Sequence, residues 1–286
     1  MSSSSDPRGG KRRCLASPDD LTLPYALEGL YENTSTLHSA VLHARYKRFL
    51  GDVAFLGQEA KSGPSVKSQD LTTVHVPNTG PMTGLLDDLP VPVYLSKSSN
   101  KSRKYAHTLE WMRVDDTWVG VHSAKANAMV AKLLDAGVLD ASLPKYSSYK
   151  KEVKLGGSTR IDFELTDEET GRRCLIEVKS VTMRQAEGSV AVFPDTKSER
   201  AQKHVRELVD QSAREGVECM MVYVVQRGDC DAFLPCLEKD PAYYQLVKDA
   251  VQEEKLGVLV LEIDLLEVTG GHCVMFNRLL PLAEWQ

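Results

Sequence analysis

No CxxC pair occurs in the chain. The six cysteines (Cys14, Cys174, Cys219, Cys230, Cys236 and Cys273) are scattered. That spacing argues against a thiolate zinc site and against a disulfide framework, and it favours reduced thiols. No run approaches the roughly 20 apolar residues that a membrane helix needs, so no membrane partner is expected. The opening stretch MSSSSDPRGGKRRCLASPDD lacks the apolar centre of a secretory signal. It reads as a flexible tail over 1–38. The expectation is an intracellular protein, cytoplasmic or nuclear and not secreted, with KRR at 11–13 the one hint of nuclear import. A formal charge of −5 excludes a protein coated in positive charge. A local basic patch is a separate matter, because phosphate recognition depends on local density rather than the total.

At 286 residues the chain is long enough for two domains. Its first part is strand-rich. LHARYKRFLGDVAFLG (42–57) alternates like one long strand, QEAKSGPSVKSQD (58–70) reads as a loop, and TTVHVPN and VPVYLSK follow as strands. AHTLEWMRVDDTWVGVHS (106–123) reads as two strands around Asp115-Asp116. Short strands without intervening helices suit a small β-barrel of the oligonucleotide-binding kind over 39–122, although a sandwich fragment would give a similar pattern. From 123 the period changes. Ala126, Met129, Val130, Leu133 and Leu134 recur at helical spacing up to Gly137. A second helix follows at 196–216, where Thr196 and Glu199 match a capping box. A third lies around 240–255. These helices alternate with strands, including the nearly all-apolar VECMMVYVVQ, which suits a central strand. The fold class is therefore mixed α/β, with a barrel followed by an α/β domain over 123–286.

The chemistry concentrates in RIDFELTDEETGRRCLIEVKSVT (160–182), a hairpin pattern. Strand alternation puts Glu177 and Lys179 on one face, with Ile176 and Val178 on the other. The same count places Asp162 with Arg160 and Glu164, opposite Ile161, Phe163 and Leu165. An acid followed about fifteen residues later by (D/E)xK on a buried strand is the pattern of a metal-dependent nuclease. Phosphodiester cleavage needs Mg²⁺ or Mn²⁺ held by hard carboxylate oxygens, here Asp162 and Glu177. Lys179 would orient the attacking water and offset phosphoryl charge. Alternatively the face is only a cross-strand ion-pair ladder.

Ancillary candidates are Glu152, as an outer carboxylate, and Asp195 at a helix start. Arg200 and His204, four apart on one helix, are candidate nucleic-acid contacts together with Arg160. In KSSNKSRK (97–104), Lys97, Lys101, Arg103 and Lys104 occur with no acid among them, near Tyr94, Tyr105 and Trp111. Cations interleaved with aromatics suit single-stranded nucleic acid, although the aromatics equally suit barrel core.

RFLGDV, NTGPMTGLL, VYLSKSSNKSRK, WVGVHSAKAN, STRIDFEL, IEVKSVTM, VFPDTKSERAQKHVREL and DPAYYQLVKDA occur in that order. Together they resemble the bacterial and archaeal sugar fermentation stimulation protein A family. The resemblance implies an oligonucleotide-binding-like barrel followed by a restriction-endonuclease-like PD-(D/E)XK domain. It also implies binding of DNA rather than RNA and a role in regulating sugar-utilisation genes. Asp162, Glu177 and Lys179 fall on the family's nuclease-like motif, and Arg160, Arg200 and His204 on positions near it. A longer loop at 58–70, DLP after the Leu-Leu pair and Ala201 in place of a common glycine depart from the family pattern.

Overall fold

The structure, a computed structural model, describes residues 10–11, 24–30, 37–56, 71–156, 159–269 and 271–286. The loop expected at 58–70 and most of the expected tail, including Arg12 and Arg13, lie outside the described residues. Two short strands, Gly10–Lys11 (β1) and Tyr25–Ala26 (β2), precede the barrel strands. These are His38–Tyr46 (β3), Leu50–Phe55 (β4), Thr72–His75 (β5), Val91–Lys97 (β6), His107–Val114 (β7) and Thr117–Gly120 (β8). Their sheet runs β5-β4-β3-β6-β7-β8, and a parallel β5–β7 pairing at His75 and Thr108 closes it. The interior is apolar, with Ala40, Leu42, Val53, Val93, Leu95 and Leu109 packed together.

The long strand expected over 42–57 is instead a hairpin. Lys47 and Arg48 turn the chain with φ of 47° and 64°. Tight hairpins favour Asn-Gly or Asp-Gly at such positions, so Lys-Arg offers no turn signal. The φ > 0 cost is met locally, since Arg45 donates to the Arg48 carbonyl and to those of Asn78, Gly80 and Pro81.

The second domain follows as Lys125–Asp135 (α1), Ser148–Gly156 (β9), Thr159–Thr166 (β10), Arg173–Val181 (β11), Met183–Arg184 (β12) and Val190–Phe193 (β13). Glu199–Ser212 (α2), Val217–Val225 (β14), Ala232–Pro235 (β15), Pro241–Gln252 (α3), Gly257–Val268 (β16) and Gly271–Leu279 (β17) complete it. Its main sheet is β1-β9-β10-β11-β14-β16-β17-β2, parallel across β11, β14 and β16. The nearly all-apolar β14 is a central strand, buried on both faces along most of its length as its composition requires. α1 covers one face, while α2 and α3 cover the other. Two expectations change here. Tyr25–Ala26 is part of this sheet rather than of a flexible tail, because Leu27 and Leu30 bury in the core beneath α1. Ser198, not Thr196, caps α2 by accepting from the Ala201 N–H at 3.2 Å, so Glu199 begins the helix and no capping box forms.

The two domains share a core. Tyr94 and Trp111 of the barrel pack with α1 and β16. Tyr94 Oη and Trp118 Nε1 both donate to Glu267 Oε1, at 2.7 and 3.2 Å. Burial and that carboxylate push the Tyr94 phenol up to about 12. The Gly120 N–H donates to the Gln226 carbonyl at 2.8 Å. A Cβ at Gly120 would stand 2.7 Å from Gln226 Oε1 and 3.1 Å from the Trp111 ring, so only glycine permits this approach.

Candidate active site

The hairpin of β10 and β11 pairs in register from Phe163 with Ile176 to Thr166 with Arg173. Ahead of that register the strict alternation fails. Ile161 packs in the core under α2 and α3, whereas Phe163, two residues on, packs under α1. A regular strand would send both to one face, so the expectation that they share a side is corrected. The break turns Asp162 into the gap between the strands. Its Oδ2 accepts the backbone N–H of Val178 at 2.7 Å, and its Oδ1 accepts from Asn127 Nδ2 of α1 at 2.6 Å.

Glu177 is 3% exposed. Its Oε1 takes two partners, Lys179 Nζ at 2.5 Å and His204 Nδ1 of α2. Its Oε2 is buried and has no hydrogen-bond partner among the described residues. An unpartnered buried carboxylate oxygen is costly, which makes it the most informative atom of the site. The neighbouring Asp162 carboxyl is pushed up to about 6, chiefly by burial and then by the negative charge of Glu177. Burial acts on Glu177 in the same direction, but His204 and Lys179 outweigh it and hold that carboxyl below its usual range.

A cation bound between Asp162 and Glu177 would satisfy Oε2 and relieve the repulsion between the carboxylates. The donor set therefore fits a hard divalent ion. Among the described residues, no set of three or more His, Cys, Asp or Glu side chains is arranged to hold an ion, so backbone oxygens and water would complete the coordination.

Of the ladder alternative one cross-strand ion pair forms, but among the described residues none joins Arg160, Asp162 or Glu164 to Glu177 or Lys179. Arg160 is exposed, Glu164 pairs with Arg173 at 3.3 Å, and Glu177 pairs along its own strand with Lys179. His204 is corrected from a nucleic-acid contact to a support for Glu177, because it lies buried against that carboxylate. Arg200 is exposed one turn earlier on α2. Glu152 is exposed on β9 and joins no ion-binding set among the described residues. Asp195 is corrected from an ancillary site residue to a domain clamp. Its carboxylate accepts the Met82 N–H at 3.1 Å and lies against Gly80, where a Cβ would overlap it. Lys97, Lys101, Arg103 and Lys104 are all exposed on the barrel. The aromatics expected beside them divide. Trp111 is fully buried and Tyr94 holds Glu267, which leaves Tyr105 under Lys104, 5.4 Å from Nζ to the ring centre.

Two positioning residues have weak sequence signals. Asn127 is a polar residue beside the apolar stripe of α1, and such residues usually face solvent. Ser123 holds the start of that helix to the barrel through the Pro77 carbonyl, accepting its Oγ at 3.0 Å and its N–H at 3.2 Å. Asp240 is the second. It caps α3 through the Tyr243 N–H and accepts from Gln202 Nε2 and the Ser198 N–H, joining α3 to the start of the helix that carries His204. Asp240→Ala is expected to cost about 2 kcal/mol through the lost cap and the stranded donors, lowering the midpoint of thermal unfolding by about 5 °C. An unchanged melting curve would show that water replaces the carboxylate. A separate cleft of about 640 Å³, lined by Thr83, Arg184, Arg227, Lys239 and Tyr244 among others, contains none of Asp162, Glu177 and Lys179.

Comparison with known proteins agrees with this architecture. Residues 44–121 match the family model described as the SfsA N-terminal OB domain, and 124–267 match the sugar fermentation stimulation protein RE domain. The sugar fermentation stimulation protein homolog of Gloeobacter violaceus is 41% identical, over 77% of this chain and 85% of its own. That of Picosynechococcus is 38% identical, over 86% and 90%. The structure of Pyrococcus furiosus SfsA in complex with Ca²⁺ superposes with a TM-score of 0.71 at 20% identity, covering 87% of this chain and 97% of that one. At that identity the match speaks for the fold: an oligonucleotide-binding-type barrel joined to a mixed α/β domain. The barrel, the second domain and the curated relatives place this chain in the sugar fermentation stimulation protein family.

Proposed function

We propose that the protein binds nucleic acid, DNA in preference to RNA, and cleaves its phosphodiester bonds with Mg²⁺ or Mn²⁺. The observation that carries this reading is the buried, unpartnered Glu177 Oε2 beside an Asp162 carboxyl whose ionisation is opposed, with Lys179 at the same carboxylate. Asp162 and Glu177 would hold the ion. When bound, it would lower the pKa of a coordinated water and polarise a phosphoryl oxygen. His204 and Asn127 orient the two carboxylates. Lys179 uses one of its three N–H donors on Glu177, leaving the others for a phosphoryl oxygen or the attacking water. In the reaction the water oxygen bonds to phosphorus and gives up a proton to solvent, while the P–O bond to the leaving oxygen breaks and that oxygen takes up a proton from solvent as it leaves as the alcohol. Pyrococcus furiosus SfsA was solved with a divalent cation, Ca²⁺, which is consistent with such a site.

The test is incubation with labelled single- and double-stranded DNA and RNA in Mg²⁺, Mn²⁺ or chelator. Ion-dependent fragments absent from Glu177→Gln support the reading; binding without cleavage under every condition refutes the catalytic part. A second reading is a non-catalytic DNA-binding regulator of sugar-utilisation genes, and the pairing of only two carboxylates among the described residues favours it. In that case the protein binds DNA but gives no fragments.

The exposed cations make a further claim about binding. Neutralising Lys101, Arg103 and Lys104 together is expected to reduce the slope of log K against log salt by about 2 for a single strand, at roughly 0.7 for each phosphate contact. An unchanged slope would remove the loop from the interface.

A further inference from the structure

The inward-facing rows of the barrel end in rings. His38 continues the row of Ala40 and Leu42, Phe55 that of Val53, and His107 that of Leu109. The three rings meet at one rim. Phe55 and His107 centres are 4.8 Å apart, His38 and His107 5.4 Å, and His38 and Phe55 6.4 Å.

A hydrophobic plug would be covered, as Leu109 and Met112 are at 0% exposure. Here Phe55 is 37% exposed and the adjacent Leu56 61%. Burial, His38 and Lys97 all lower the His107 pKa, so that ring is a neutral stacking surface at pH 7. Cations adjoin these rings. Lys97 pairs with His107 across β6 and β7. It opens the run that includes Lys101, Arg103 and Lys104, and none of the four forms an ion pair among the described residues.

His107 also adjoins the pairing that closes the barrel. Thr108, next to His107, pairs with His75. Burial lowers the His75 pKa, and Arg103 and His122 act in the same direction. His122 precedes α1, five residues before Asn127, which holds Asp162.

We propose that the His38–Phe55–His107 rim stacks unpaired bases of a single-stranded nucleic acid whose phosphates lie on Lys97, Lys101, Arg103 and Lys104. This rests on the nucleic-acid-binding part of the reading above and names the strandedness and the contact surface. Aromatic faces accept any base, so the surface selects unpaired over paired strands and not one sequence over another.

The experiment compares wild type, Phe55→Leu and Phe55→Tyr by fluorescence anisotropy with a single-stranded DNA oligonucleotide, the same length of abasic strand, and the duplex. Phe55→Leu keeps apolar volume and removes the ring, and matching melting curves confirm that it folds. It is expected to weaken single-strand binding about tenfold, while Phe55→Tyr stays within about twofold of wild type. The abasic strand should bind wild type and Phe55→Leu alike, both weakly. Equal single-strand affinity in wild type and Phe55→Leu, or abasic binding as tight as normal, overturns the stacking surface and leaves nucleic-acid binding standing. Failure of wild type to bind any of the three overturns both.

Discussion

If the proposed site is the active centre, Glu177→Gln is expected to reduce divalent-ion-dependent cleavage by about 10³-fold, because it neutralises one of the two carboxylates proposed to hold the ion and a charge that anchors Lys179. The amide keeps the shape and an acceptor for its neighbours, so the fold should survive. Lys179→Met should reduce cleavage by about 10²-fold and leave ion binding in place, since the role proposed for the lysine is on phosphoryl charge and not in holding the ion. Thermal unfolding separates the two roles. At an ion concentration of about 100 times Kd, wild type and Lys179→Met should gain about 2.7 kcal/mol of stability, and Glu177→Gln should gain almost none. A wild-type melting curve that ignores Mg²⁺ and Mn²⁺ would sink the ion assignment independently of any substrate. Cleavage that persists in Glu177→Gln would place the active centre elsewhere.

Asp162→Asn is expected to stabilise the ion-free protein at neutral pH. Burial and Glu177 raise the folded-state pKa of Asp162 from an ordinary 3.8 to about 6. The sign follows from linkage: a group with a raised folded pKa contributes stability below its unfolded value and loses it as pH rises through the folded one. Stability in chelator should therefore fall between about pH 4 and pH 6, by about 3 kcal/mol for a shift of two units. Glu177 works in the opposite direction at lower pH, because its pKa is depressed. Asparagine can still accept from Val178 while carrying no charge, so the variant should flatten this window and melt higher in chelator at pH 7. It should also lose the ion-induced gain. Scanning calorimetry across pH in chelator checks both; a wild-type profile that is flat from pH 4 to pH 6 would show that solvent reaches Asp162 and removes the penalty.

These two effects trace to a geometry that was only partly legible in the chain. The hairpin follows from apolar alternation around TDEETGRR, and the shared face of Glu177 and Lys179 follows from the two-residue period of a regular strand. Asp162 sits where that regularity breaks, and no local pattern marks the break. Other elements went unread for equally specific reasons. The Lys47-Arg48 turn lacks the usual turn residues. The strand β17, GHCVMFNRL, mixes polar and apolar residues too evenly to stand out, and it becomes a strand by pairing with β16.

The division between a strand-rich first part and an α/β second part, the three helices, and the candidate trio of Asp162, Glu177 and Lys179 were determined by the sequence alone. Each depends on local period and on chemistry within one hairpin. The tertiary structure decided what surrounds the trio. It brought Asn127 from α1 and His204 from α2 to the two carboxylates and turned Asp195 toward the barrel loop at 78–84. It buried Trp111 and Tyr94 between the domains, and it gathered His38, Phe55 and His107 from three strands at one rim. The physical reason is the same throughout: these contacts join residues far apart in sequence, and a side chain's partner across a packed interface leaves no trace in the periodicity of its own segment.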